Sequence, residues 1–387
     1  MRKIVSACVS VFISLFLLQS CMEDPNPVGA SLLPGSDLLK IDTTTTPSTS
    51  NASQKAVPNP GLPNRLLIGK TADYESWGLL HFVSIPDSLV LINVLDASVK
   101  LRASYHFGDS LAPFSMTVHR VLNSWGTDSL TIDSMKATGF YETASQANVS
   151  VSSIGDTATI SFPLDTSMVR TWVNAALDTA TTNYGLLLKP TNFAVIKGFE
   201  SGVSATTAFR PQLMIRYSRP GLTRVDTVVV NTSIVAYAAS TNSTTWLSDS
   251  THIYVRNGLA YRGSIDFDIS SIPAASPVHK AVLEITLDPA ASKLNSLTTD
   301  SLFAYFVSTD GVVTNSYALG EPTFVNGKKV YSFKVTEYVQ YWTKYANPRT
   351  IAVGGYTERS TFDSFVFFGA TSAFKPRLLI TYSPLRN

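Results

Sequence analysis

Cysteine is nearly absent: the 387 residues hold two, Cys8 and Cys21. Cys8 falls in the apolar run that opens the chain and reads as a removable segment. No intramolecular disulfide then remains, and an exported body must rest on its core alone. Histidine is scarce too. His81, His106, His119, His252 and His279 show no metal-ligand spacing on a helix, and no His-Cys cluster accompanies them. Charge of either sign gives no excess: Lys+Arg number 30 and Asp+Glu 28, and Arg2 and Lys3 are the only charged residues among the first twenty. A chain this close to neutral carries no electrostatic footprint for nucleic acid and no polybasic membrane surface. Gly-x-Ser-x-Gly, Gly-x-Gly-x-x-Gly, a phosphate loop and a Glu-x-Asp-x-x-Glu arrangement do not occur, and glutamate is scattered. The expectation is a protein that is not an enzyme. With 44% hydrophobic and 11% aromatic residues, it is not a disordered one either.

What is present begins with an address. Arg2-Lys3 precede the apolar stretch Ile4 to Leu18, about the length of a signal-peptide core and too short for a comfortable membrane span. Leu18-Gln19-Ser20-Cys21 resembles a bacterial lipobox, which implies a signal peptide over 1–20 and a diacylglycerol on the Cys21 thiol. Glu23-Asp24 resemble the acidic export tag of Bacteroidetes surface lipoproteins. That implies the outer face of the outer membrane, with a periplasm-facing lipoprotein as the alternative. The tract from Asp24-Pro25-Asn26-Pro27 to Leu33-Pro34-Gly35-Ser36-Asp37 resembles the start of a Bacteroidetes lipoprotein family of unknown function. Residues 43–60 are Thr, Ser, Asn and Pro in bulk, so 21–63 reads as lipidated N-terminus and solvated tether.

From about residue 64 the period is two. Val99-Lys100-Leu101-Arg102-Ala103-Ser104-Tyr105, Gln212-Leu213-Met214-Ile215-Arg216-Tyr217 and Ala281-Val282-Leu283-Glu284-Ile285-Thr286-Leu287 alternate apolar with polar, as half-buried antiparallel strands do. The halves also match each other. Ala208-Phe209-Arg210-Pro211 to Tyr217-Ser218 repeats as Ala373-Phe374-Lys375-Pro376 to Tyr382-Ser383. Phe162, Val169 and Trp172 are echoed by Phe333, Val339 and Trp342, and Phe82 before Ile85-Pro86 by Phe267 before Ile272-Pro273. Three- and four-residue apolar steps predict one helix in each copy, within Ser167–Leu177 and Thr336–Tyr345. The expectation is all-β: two tandem jelly-roll-like antiparallel β-sandwiches, each with one short helix, over 64–219 and 225–384, joined within Pro220–Thr232.

The unit Gly78-Leu79-Leu80-His81-Phe82, Asp96-Ala97-Ser98-Val99-Lys100-Leu101 and Val118-His119-Arg120-Val121 to Trp125, closed by Pro211-Gln212-Leu213-Met214-Ile215-Arg216-Tyr217, resembles the DNRLRE-type domain. Its motifs are core and turn signals. The resemblance implies exported jelly-roll sandwiches, some of which bind acidic polysaccharides such as alginate, and hence glycan binding here. Candidate contacts are Lys100 and Arg102 on one strand face, His119 on a neighbouring strand, Arg256 and Arg262 in the second copy, and Trp77 and Trp246 as stacking platforms. A solvated basic sheet face is the alternative for the cations, while Trp125, Trp172 and Trp342 follow the apolar face into the core. Asp266 and Asp268 share a strand face and form a weak cation candidate; Ca2+ has no further support. Expected partners are outer-membrane lipid through Cys21, a polysaccharide, and, if the sandwiches serve adhesion instead, other envelope proteins.

Overall fold

The computed structural model describes residues 40–56, 63–127, 130–176, 182–232, 234–295, 300–308, 310–345 and 348–384. The expected leader, Cys21 and the acidic tract behind it lie outside the described residues. The chain is all-β. Its first strands are β1 (Asp42–Lys55), β2 (Arg65–Lys70), β3 (Tyr74–His81), β4 (Asn93–Gly108), β5 (Phe114–Arg120), β6 (Ala147–Val151), β7 (Thr159–Pro163), β8 (Leu186–Pro190), β9 (Val195–Glu200) and β10 (Gln212–Ser218). There follow β11 (Val225–Asn231), β12 (Ile234–Thr241), β13 (His252–Arg256), β14 (Tyr261–Phe267), β15 (Val278–Thr286), β16 (Leu302–Val307), β17 (Val313–Val325), β18 (Lys328–Lys334), β19 (Thr350–Gly355), β20 (Ser364–Phe368) and β21 (Arg377–Tyr382).

Two antiparallel assemblies result. In one, strands close in the ring β1-β21-β15-β18-β17-β16-β19-β14 and back to β1, with β13 and β20 continuing from β14. The other is a curled sheet, β11-β10-β4-β9-β2-β3-β8-β5-β6, with β12 pairing at β3 and β7 at β4. The two-residue period drives both. Along β4, Val99, Leu101, Ala103 and Tyr105 are fully buried, while Lys100, Arg102 and Ser104 between them keep contact with water.

Equivalent strands have equivalent neighbours. Val99 of β4 lies between Leu213 and Phe162, and Leu283 of β15 lies between Leu378 and Phe333. Helices cover both: α1 (Ile132–Lys136), capped by Thr131, is an addition to the expected pair, α2 (Thr166–Val173) and α3 (Thr336–Lys344). The N-cap carboxylate of Asp165 accepts from the Ser167 and Met168 amides at the start of α2, and Trp172 and Trp342 are buried as their spacing predicts.

Two expectations on the body boundaries are corrected. The Thr-rich stretch is no tether: Asp42–Lys55 is β1, pairing with β21 from Asp42↔Tyr382 to Pro47↔Arg377 and with β14 from Ser48↔Phe267 to Lys55↔Tyr261. Threonine is β-branched and fits an extended strand, and β1 finds a main-chain partner along its whole length, β21 for its first half and β14 for its second, whatever the side-chain polarity. The join is not at Pro220–Thr232 either. Pro220-Gly221 turns a hairpin (Gly221 φ +79°, Leu222 N–H to Arg219 O 3.0 Å) that sends β11 back along β10. β12 then pairs with β3 from Ile234↔His81 to Thr241↔Tyr74, so residues 225–241 complete the first assembly and not the second.

The assemblies meet at Phe362, 1% exposed and grouped with the first core. Its ring lies 5.5 Å from Tyr74 and 6.1 Å from Phe107, and its amide donates to the Tyr105 hydroxyl at 2.9 Å. Around it, Arg256 donates to the Tyr74 hydroxyl (3.0 Å), Arg65 to the Ser360 carbonyl (3.3 Å), and Lys293 pairs with Asp73 (2.7 Å).

Candidate functional site

The residues singled out from sequence do not converge. Lys100 and Arg102 do share the outer face of β4, Lys100 opposite Gln212 and Ser161, with the Arg102 guanidinium 3.9 Å over the Phe209 ring. His119 is elsewhere. Four strands separate β5 from β4 in the sheet, and the imidazole is buried, with Nδ1 2.9 Å from the Glu142 carbonyl and Nε2 2.9 Å from the Thr117 hydroxyl. Burial holds its pKa below the usual histidine value.

Trp77 and Trp246 are not stacking platforms. Trp77 is 2% exposed and donates to Glu75 at 2.9 Å; α1 and β12 residues pack with it in a separate core cluster on the far side of β3. Trp246 packs edge-on to Tyr261 at 4.8 Å and donates to the Ser243 carbonyl at 2.8 Å. Arg256 lies 3.9 Å over Trp246 and donates from one terminal nitrogen to the Tyr74 hydroxyl at the seam. Arg262 makes a bidentate pair with Glu358 (3.1 and 2.9 Å). The two aspartates are occupied as well. The Asp266 carboxylate accepts from the Ser50 and Thr350 hydroxyls, and that of Asp268 accepts from the Ser270 amide (2.9 Å) and pairs with Arg349 (3.2 Å). They join no metal-competent group among the described residues.

The structure instead assembles an aromatic face on the outside of the closed ring. In β16, Leu302 and Ala304 point inward and are fully buried, so Phe303 and Tyr305 point outward. Tyr317 of β17 stands directly opposite Tyr305, and Tyr356 follows the end of β19. Phe303 is central, its ring 4.4 Å from Tyr317, 5.2 Å from Tyr356 and 5.9 Å from Tyr305. Tyr317 and Tyr356 are 59% and 51% exposed, and Leu319 beside them 47%. Gly354 lies close under this face: a Cβ there would come within 3.1 Å of the Tyr305 ring and of Arg262 Nε, so both side chains would have to shift slightly.

Polar groups rim this face. The Arg262 guanidinium lies 4.4 Å over Tyr305, held by Glu358. Burial pushes the Tyr305 phenol up to about 12 despite that cation, so it is a neutral hydroxyl donor at physiological pH. Along β17 and β18 the aromatic surface runs into an open groove of about 650 Å3, lined by Tyr317, Leu319, Glu321, Ser332, Lys334 and Glu337. Flat rings beside exposed donors, acceptors and one lysine suit a ligand with apolar faces and polar edges. The alternation Phe303-Ala304-Tyr305 and Tyr317-Ala318-Leu319, large outward against small inward, is the sequence signal that marks it.

Comparison with known proteins adds no assignment. No protein-family model matches the chain, and no curated protein matches it. Among solved structures the chain is similar to "Structure of the Macrobrachium rosenbergii Nodavirus", at 10% identity over 94% of this chain and 95% of that one, with a TM-score of 0.16. At that score the likeness carries no argument.

Proposed function

We propose that this chain is a non-catalytic polysaccharide-binding lipoprotein. In this reading both assemblies are jelly-roll-like sandwiches of the DNRLRE type, and Cys21 anchors them at the outer surface of the outer membrane. The observation that supports it is the aromatic face in which half-buried Phe303 and Tyr305 stand with exposed Tyr317 and Tyr356 beside a polar groove. Sugar rings offer apolar C–H faces to such side chains while their hydroxyls bond the rim. The groove cations and carboxylates are Lys334, Glu321 and Glu337. One cation among two carboxylates favours a neutral or sparsely charged glycan over the densely acidic alginate that the resemblance implies.

The test is affinity electrophoresis of the full chain carrying Cys21→Ser through gels containing neutral and acidic polysaccharides, with and without calcium. Retardation on at least one neutral polysaccharide is expected, independent of calcium. Unretarded migration on every polysaccharide would leave the aromatic face without this role. For the anchor, Cys21→Ser should release the protein from membranes; continued membrane association would contradict lipidation.

A further inference from the structure

β1 and the β11–β12 pair fill the same slot in the two assemblies. Thr44 stands opposite Ile380 and Asn51 opposite Ile265; Val228 stands opposite Ile215 and Val235 opposite Leu80. Those partners correspond, since Ile215 and Ile380 hold the same place in the repeated closing strand, and Leu80 and Ile265 each pair with the equivalent residue of β8 or β19. Each assembly therefore takes its last strand from the other repeat's territory. The strand ahead of β2 completes the ring, and the strand ahead of β13 completes the curled sheet.

The two fillings differ in one respect. In the curled sheet the inward positions of the filling strand are Val228, Val230, Thr232, Val235 and Tyr237; in the ring they are Thr44, Thr46, Ser48, Asn51 and Ser53. Four apolar side chains are replaced by hydroxyls and an amide. β1 is held by its main-chain ladders and by polar bonds that water can replace, such as Asn51 Nδ2 to the His252 carbonyl (2.9 Å) and the Tyr254 amide to Ser53 Oγ (2.8 Å). Only Thr46 and Ser48 of its fourteen residues are buried. Release of β1 thus exposes almost no apolar side chain of its own. It does leave β14 and β21 as open edges, whose unpaired N–H and C=O groups demand a strand.

We propose that β1 is an exchangeable clasp and that the slot between β14 and β21 accepts β1 of a second copy, linking chains by strand donation. The occupant is this chain's own Asp42–Lys55. It is the segment whose register fits the slot over thirteen residue pairs, and in cis it is kept there at an effective concentration in roughly the millimolar range. Exchange therefore needs a high density of chains. It does not depend on the glycan reading.

The test uses full chains in a Cys8→Ser, Cys21→Ser background, which leaves no native thiol. Thr45 and Leu379 are direct partners on the outward side of the slot. A Thr45→Cys chain is mixed at high concentration with a separate Leu379→Cys chain of different mass, then oxidised and run on a non-reducing gel. A disulfide between the two is favoured where β1 of one copy lies in the slot of the other, and collision between accessible thiols sets the background yield. The corresponding pair in the curled sheet, Val229 opposite Met214, supplies the control: Val229→Cys mixed with Met214→Cys. We expect the Thr45/Leu379 heterodimer at a yield at least tenfold above the control. Adding Thr44→Val and Thr46→Val, which copies Val228 and Val230, should slow its formation at least tenfold. Absence of the heterodimer, or equal yields from the two pairs, overturns the proposal.

Discussion

At the scale of single residues, exposure separates binding from stability. Tyr317→Ala removes a ring that is 59% exposed, so the unfolding free energy should stay within about 0.5 kcal/mol of the parent in urea titration while polysaccharide affinity falls. Phe362→Ala empties a site at the seam of the two assemblies and should cost about 3–5 kcal/mol, read as a lower denaturant midpoint. Asp249 supplies the pH dependence. Burial pushes its carboxyl up, but hydrogen bonds from Thr251, Tyr254 and His252 outweigh this and hold it well below the ordinary carboxylate range. A carboxyl depressed on folding stabilises above its unfolded pKa, and that stabilisation is lost as pH falls through the folded one. Asp249→Asn should therefore unfold more easily than the parent at pH 7, with the two stability curves converging as acid is added below about pH 4, the unfolded value. Single residues were also the least legible feature in the sequence. Trp77 shares the face of β3 that Leu79 occupies, opposite Leu80 and Phe82, and alternation alone assigns that face to water. Here α1 and β12 cover it, a contact no local pattern records. Phe303 and Tyr305 were not singled out from the sequence: the same alternation turns them outward, but their clustering with Tyr317 and Tyr356 depends on strand order.

At the scale of elements, the buried strands and the two tryptophan-bearing helices followed from periodicity, because burial on one face imposes it directly. β1 did not, because its polar composition satisfies water as well as it satisfies a sheet. One local signal does identify it. Lys40-Ile41-Asp42-Thr43 matches Arg224-Val225-Asp226-Thr227, and each copy forms the same short-range ion pair, Lys40–Asp42 at 3.2 Å and Arg224–Asp226 at 2.6 Å. Hydrogen exchange measures the strand directly. Amides within 42–55 should be protected alongside those of β14 and β21 and should open before them; exchange at the rate of an unstructured Thr/Ser segment would contradict the pairing.

Across the whole molecule, a duplicated sequence yields two assemblies tied by exchanged strands and by a seam at Phe362. The curled sheet carries the basic face of Lys100 and Arg102, and the ring carries the aromatic one. Their difference makes the functional claim sharp, since the two faces belong to equivalent repeats and only one should bind. The deciding measurement is the dissociation constant for a retarding polysaccharide, obtained by affinity electrophoresis for the parent, Phe303→Ala with Tyr317→Ala, and Lys100→Ala with Arg102→Ala. The account predicts at least a tenfold loss for the aromatic pair and no more than twofold for the basic pair. Loss confined to the basic pair, or none in either, would contradict it.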